Sequence, residues 1–137
     1  MKKEEIINEI KKKCGKVEHL PSVGWYFIYN KQHFLYMNGK DDGTIRFCIP
    51  HLVKADEYDP EQLSAAINDT NRNVKFIKAV KLDCGSVSLD YDHKMISEES
   101  AEIIVSHIIN TLDFASTYLL DKLKNYEKNH LNSHNMD

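Results

Sequence analysis

Apolar side chains recur at helical spacing in three stretches of the chain, and this pattern predicts three helices. The first helix covers residues 3–13 and stops at Gly15. The second begins after Asp59, a good N-cap that is followed by a proline at the first helical position. The third is the longest and begins after Ser97. The three apolar stripes are formed by Ile6, Ile7 and Ile10; by Leu63, Ala66 and Ile67; and by Ala101, Ile104, Val105, Ile108, Leu112, Ala115, Leu119 and Leu123.

Five other stretches are rich in aromatic and β-branched residues or alternate between apolar and polar positions, which is typical of strands. They cover residues 25–29, 33–37, 44–49, 74–82 and 86–92. The element order is therefore α-β-β-β-α-β-β-α, which predicts an α+β fold with helices packed against an antiparallel sheet. We expect a single α+β domain over residues 1–126, followed by a frayed polar tail over residues 127–137.

The first two predicted strands are apolar on both of their faces. With Asn30-Lys31-Gln32 as the turn between them, one face carries Trp25, Phe27, Tyr29, Leu35 and Met37, and the other carries Tyr26, Ile28, Phe34 and Tyr36. A sheet with one solvated face shows polar residues there, so the second face of this ribbon requires a cover. A helix of the same chain would provide one. The alternative is a second copy or a partner protein, for which Tyr26, Ile28, Phe34 and Tyr36 would form the contact face.

Charge and cysteine content narrow the class of partner and compartment. The net charge is −3, and only Arg46 and Arg72 among the 18 basic residues are arginines, which disfavours nucleic acid as a partner. The three cysteines are widely spaced and odd in number, so we expect no disulfide framework. The first residues contain no apolar signal segment, and no stretch approaches about 20 uninterrupted apolar residues. We therefore expect a cytoplasmic protein that does not insert into membranes.

One region of the sequence resembles a known family. The residues that carry the likeness are Asn71, residues 74–76 (Val-Lys-Phe) and residues 81–92 (Lys-Leu-Asp-Cys-Gly-Ser-Val-Ser-Leu-Asp-Tyr-Asp), which an amphipathic helix follows. They resemble the YbjN-like group, described as bacterial sensory transduction regulators, and the element order is similar to the type III secretion chaperone fold. The resemblance implies a small, dimeric binder of extended protein segments and supplies no catalytic residue. Cys84 departs from it, because the family favours an acidic or polar residue in that turn.

Few residues of the sequence suggest chemistry. Asp90 and Asp92 share a strand face beside His93 and could reach one hard cation, although two acids on a solvated strand face are common without any ligand. His130 and His134 are four residues apart, a spacing that can bind zinc on a helix, but they lie in the predicted tail and lack the glutamate of an H-E-x-x-H motif.

The remaining motifs also favour a protein without catalysis. Cys48 and Cys84 have no evident base or cation nearby to activate their thiols. No phosphate-binding loop and no G-x-S-x-G elbow is present in the sequence. The sequence therefore predicts a non-catalytic protein-binding module, chaperone-like or regulatory and homodimeric, with no cofactor. The alternative is a small-molecule or metal-binding domain, with weak or unknown enzymatic activity, that uses Asp90, Asp92 and His93.

Overall fold

The computed structural model describes residues 2–37, 43–95 and 98–135, with side chains described as far as Tyr126. Its helices are α1 (Lys3–Cys14), α2 (Pro60–Asn73) and α3 (Ala101–Asn135), and a short 3₁₀ turn covers Ala55–Glu57. Its strands are β1 (Val17–Leu20), β2 (Gly24–Tyr29), β3 (Gln32–Met37), β4 (Thr44–Lys54), β5 (Ile77–Lys81) and β6 (Ser86–Lys94). The predicted α+β fold is confirmed.

The strands form one antiparallel sheet in the order β1-β2-β3-β4-β6-β5. β1 is an additional strand, because the sequence analysis predicts no strand before residue 25. The four residues of β1 are too few to show a period. They form a strand because a tight turn, in which the Val23 N–H donates to the Leu20 carbonyl at 3.0 Å, folds them back against β2. The described part of the chain therefore has six strands, one more than the sequence predicts.

The hydrophobic core lies between one face of this sheet and the three helices. Aromatic rings form its centre: Phe27 stacks on Phe34 with ring centroids 5.2 Å apart, and Tyr36 stacks on Phe47 at 5.1 Å. Phe27 also meets Phe47 edge-on at 6.1 Å, which joins the two pairs. The helices cover these rings with buried residues of their apolar stripes, among them Ile6, Ile10, Leu63, Ala66, Val105, Ile108, Leu112, Ala115 and Leu119.

α3 is longer than the sequence predicts. Its apolar stripe ends at Leu123, yet its backbone remains helical to Asn135, through most of the stretch expected to be a frayed tail over 127–137. Residues 121–135 contain neither glycine nor proline, so no helix-breaking residue ends the helix there. Ser97, after which the sequence predicts that this helix begins, lies outside the described residues. At the start of the helix, Ser100 Oγ accepts from the Ile103 N–H at 3.4 Å.

By length and composition, α3 is the one helix in the described chain that could cross a membrane, over Ala101–Tyr126. Its apolar side is already occupied, because Ile108, Ile109 and Leu112 are fully buried against the sheet. The core helix of a soluble domain has this same composition, so the segment is explained by its place in the core.

Asn71 closes one edge of the sheet. Its side-chain amide donates to the Ala79 carbonyl at 3.0 Å, and the Ala79 N–H donates to its side-chain oxygen at 2.6 Å. Both outward backbone groups of Ala79 on the edge strand β5 are therefore bonded to a side chain of α2. An edge strand with unpaired groups is a template for pairing with another chain, and Asn71 removes that template here.

Gly24 marks a close backbone approach between β2 and β3. It adopts a positive φ of 153°, and a Cβ atom built there would overlap the carbonyl oxygen of Tyr36 and lie 3.0 Å from Met37 Cα. Gly15 also has a positive φ, of 87°, but has open space around it. Gly24 is therefore required because a side chain would not fit there, whereas Gly15 is required only for its backbone conformation.

We expect Gly24→Ala to lower the free energy of unfolding by roughly 3–5 kcal/mol, because β2 and β3 must move apart to admit the methyl group. Gly15→Ala is the matched control and should cost less, because open space surrounds Gly15 and only the backbone cost of its positive φ remains. Urea unfolding followed by circular dichroism measures both. Equal costs for the two variants would contradict the close approach at Gly24.

We expect Asn71→Ala to lower the free energy of unfolding by roughly 1–3 kcal/mol, because it leaves two backbone groups of Ala79 without their partner. Asn68→Ala, at an exposed position of the same helix, should change it by less than about 0.5 kcal/mol. The same unfolding measurement applies. If the two variants are equally stable, Asn71 does not hold the edge.

Candidate functional site

The turn between β2 and β3 decides which aromatic residues share a face. Asn30 and Lys31 both have positive φ, 50° and 67°, as a two-residue type I′ turn requires, and Tyr29 pairs with Gln32 across it. The sequence analysis assumes three turn residues. The difference of one residue moves every side chain of β3 to the other face relative to β2.

The predicted contact face of Tyr26, Ile28, Phe34 and Tyr36 is therefore wrong as a set. Phe34 pairs with Phe27 and Tyr36 with Trp25, so both lie on the helix-covered face, at 0% and 7% exposure. Tyr26 and Ile28 lie on the opposite face. Their neighbours across the strand pairs are Leu35 and His33, and Met37 shares that face at the end of β3.

We call the face of the sheet opposite the helices the open face, because none of the described helices packs on it. Its side chains divide into two halves. The apolar half consists mainly of Tyr26, Ile28, Leu35, Met37 and Cys48 and also carries Glu18 and His33, whereas the charged half consists mainly of Arg46, Lys78, Asp90 and Asp92. A solvated sheet face is normally polar throughout, so the apolar half requires an explanation and the charged half does not.

Contacts within the apolar half hold its side chains in place and leave part of them exposed. Ile28 is 49% exposed, whereas Leu35 is only 8% exposed under its neighbours. Tyr26 stacks on His33 with centroids 5.7 Å apart, and the Tyr26 hydroxyl forms a short hydrogen bond with His33 Nδ1. A cavity of about 200 Å³, lined by Cys14, Lys16, Glu18, Tyr26, Phe27 and Ile28, continues this surface towards α1. It is smaller than the roughly 300–1,000 Å³ of typical small-molecule sites.

The charged half consists of paired groups. Arg46 forms two bonds with Asp92, Nε to Oδ1 at 2.6 Å and a terminal nitrogen to Oδ2 at 3.2 Å. The Ser88 hydroxyl donates to Asp90 at 2.6 Å, and Lys78 lies opposite Asp90 in the strand register. Both signs of charge alternate across this half, which therefore has no strong field to attract a polyanion.

Asp90, Asp92 and His93 do not converge. Alternation along β6 puts the two aspartates on the open face and His93 on the covered face, where its Nε2 lies 3.0 Å from Glu99 Oε2. Asp92 is already bonded to Arg46. Within the described ranges, no three His, Cys, Asp or Glu side chains are placed to hold a metal ion. The side chains of His130 and His134 lie outside those ranges.

The three cysteines differ in reactivity. Burial raises the pKa of Cys48 to about 12 and that of Cys14 to about 11. Cys84 is exposed, and hydrogen bonds from the Ser86 backbone and side chain lower its pKa. The sequence analysis finds no group to activate Cys84; that group is Ser86, two residues along the turn, which local hydrogen bonding brings to the thiol.

We expect an alkylating reagent at pH 8 to modify Cys84 at least tenfold faster than Cys14 or Cys48. The thiolate is the reactive form, and each pKa unit above the working pH lowers the thiolate fraction about tenfold. Peptide mass analysis of a time course measures the three rates, and Cys84→Ser should abolish the fast phase. Equal rates in the folded protein would contradict the burial of Cys14 and Cys48.

Comparison with known proteins adds to the fold and not to the site. No protein-family model and no curated protein matches the chain. Among solved structures, the chain is similar to an uncharacterized protein from Methanothermobacter thermautotrophicus, with a TM-score of 0.54 and 12% identity. The match covers 90% of this chain and 96% of that one. A likeness at this identity supports the fold alone, so the YbjN-like resemblance stays a prediction.

Proposed function

We propose that this chain is a non-catalytic protein-binding module, chaperone-like or regulatory, which holds a segment of a partner protein against the open face. One observation carries the proposal: all three helices cover the same face of the sheet, so Tyr26, Ile28 and Met37 receive no cover from the described helices. Exposed apolar side chains that are held side by side mark contact surfaces in soluble proteins.

The layout of the open face fits an amphipathic segment. Its apolar half lies on β2 and β3, and its charged half lies on β4, β5 and β6. A segment whose one side is apolar and whose other side carries charges of both signs would match both halves at once. The same layout disfavours nucleic acid, because Asp90 and Asp92 would repel phosphates.

The alternative, a metal or small-molecule site at Asp90, Asp92 and His93, has less support. Its three side chains lie on opposite faces of the sheet, and Asp92 is already paired with Arg46. We therefore favour protein binding. Three free cysteines, at 14, 48 and 84, favour a cytoplasmic location, where thiols stay reduced.

We expect the double variant Tyr26→Ser, Ile28→Ser to lose a partner that wild type retains, because it removes apolar area from the centre of the proposed contact. Tagged wild type and variant would be expressed at native level, cross-linked in cells and purified, and the complexes identified by mass. The supporting result is a stoichiometric partner that is present with wild type and reduced at least tenfold with the variant.

The matched control is Lys78→Ser, at an exposed position of the charged half near the far edge of the sheet, which should retain the partner. Circular dichroism must show the same helical content in all three proteins, since Tyr26 and Ile28 lie outside the core. If the double variant and wild type retain the same complexes in the same amounts, the open face is not the binding surface.

A further inference from the structure

The outer surface of α3 carries apolar side chains that are not part of the hydrophobic core. Ile103 is 68% exposed and Phe114 is 61% exposed. Eleven residues separate them, so they lie about 20° apart around the helix and about 16 Å apart along it. Together with Phe76, which is 68% exposed, they are the three most exposed large apolar side chains of the described chain.

Phe76 is held beside this row at a conformational cost. Its φ is 70°, a left-handed conformation that is unfavourable for a bulky residue. The conformation puts its ring 6.0 Å from that of Tyr91, in a stacked arrangement, and 6.0 Å from that of His107, edge-on. The ring therefore lies against the amino-terminal half of α3, where it widens the apolar surface around Ile103.

The residues along the outer line of α3 form a symmetric series. Ile103, His107, Asn110 and Phe114 follow each other at spacings of four, three and four residues, and all four are exposed. This is the spacing at which one helix packs along another. The midpoint of the outer pair coincides with the midpoint of the inner pair, and none of the four carries a fixed charge. We call these four residues the α3 seam.

We propose that the α3 seam binds the α3 seam of a second copy of this chain, with the two helices antiparallel. A two-fold axis at the shared midpoint puts Ile103 against Phe114 of the second copy, and it does so twice. The same axis puts His107 beside Asn110 of the second copy, where imidazole and amide can exchange a hydrogen bond and fix the register. A surface that complements itself under a two-fold axis is what an isologous dimer requires.

The inference does not depend on the proposed function, because the α3 seam and the open face lie on opposite sides of the molecule. It leaves the open face free in both copies. Two partner segments could then bind one dimer, and their two weak attachments would act together.

The size of the seam sets the expected strength. Ile103, Phe114 and Phe76 together expose roughly 350 Å² per copy, if about two-thirds of each large side chain is accessible. A stable dimer buries about 800 Å² per partner, so the α3 seam and Phe76 beside it supply its apolar centre and neighbouring polar residues must supply the rest. We therefore expect a dissociation constant on the order of 10–100 µM.

Sedimentation equilibrium from about 1 µM to 1 mM tests the proposal. Wild type should change from monomer to dimer across this range. Ile103→Lys alone and Phe114→Glu alone should each weaken self-association at least tenfold. An equimolar mixture of these two variants should recover the dimer, because the lysine of one meets the glutamate of the other while Phe114 and Ile103 remain paired at the second contact.

Two controls make the result specific. Mixing Ile103→Lys with Ser64→Glu, at an exposed site on α2, should bring no recovery beyond that expected from Ile103→Lys alone. Tyr26→Ser, Ile28→Ser should dimerise as wild type does, whether or not it binds a partner. Circular dichroism should show unchanged folding throughout, since the substituted side chains are exposed.

A wild-type monomer at 1 mM would overturn the proposal, as would single variants that dimerise normally. Failure of the mixture to recover the dimer would overturn the antiparallel register. If the open-face variant loses the dimer while the α3 seam variants keep it, the second copy binds at the open face. That result would refute this inference and leave the open face as an interaction surface.

Discussion

The structure depends on one-sided packing of an aromatic sheet. Phe27, Phe34, Tyr36 and Phe47 stack on the face that α1, α2 and α3 cover, and every buried apolar side chain of the helices adds to this one layer. Burying a side chain of this size stabilises the fold by roughly 1.5–3 kcal/mol, so the layer commits all three helices to the same side. The opposite face is left to the sheet's own side chains.

None of the described helices covers the open face, and the side chains of the sheet itself limit the exposure of its apolar groups. Neighbouring side chains bury Leu35 and Cys48 there. In the charged half, the ion pair between Arg46 and Asp92 is accessible to water. In the apolar half, Ile28 remains 49% exposed, and Tyr26 is partly exposed. At the edge strand β5, the Asn71 side chain forms hydrogen bonds with both outward backbone groups of Ala79. Another strand is thereby prevented from pairing with β5 at Ala79.

The helical side of the molecule presents a second apolar surface. α3 buries one half of its circumference and presents Ile103 and Phe114 on the other, next to the strained Phe76. If both surfaces act as proposed, the molecule has a self-contact on its helices and a partner contact on its sheet. Binding on one side would then leave the other unobstructed.

The sequence by itself determined the element types, because helical and strand periods are local properties that short windows of residues express. The Asp59 cap, which bonds the Gln62 N–H at 3.2 Å, and the alternation in β6 are confirmed by the structure. The sequence also identified the β2–β3 ribbon as apolar on both faces, which is the origin of the open face.

Only the tertiary structure decided which residues share a face. The phase between β2 and β3 depends on whether the turn has two or three residues, and both lengths fit Asn30-Lys31-Gln32 locally. Phe34 and Tyr36 therefore moved into the core, and Leu35 and Met37 moved to the open face. Likewise, the helical period puts Ile103 and Phe114 off the apolar stripe of α3, but only the structure shows that none of the described elements covers them. The periodicity of a helix or a strand is visible in a short stretch of sequence. Strand register and side-chain exposure depend instead on contacts between residues that are distant in sequence.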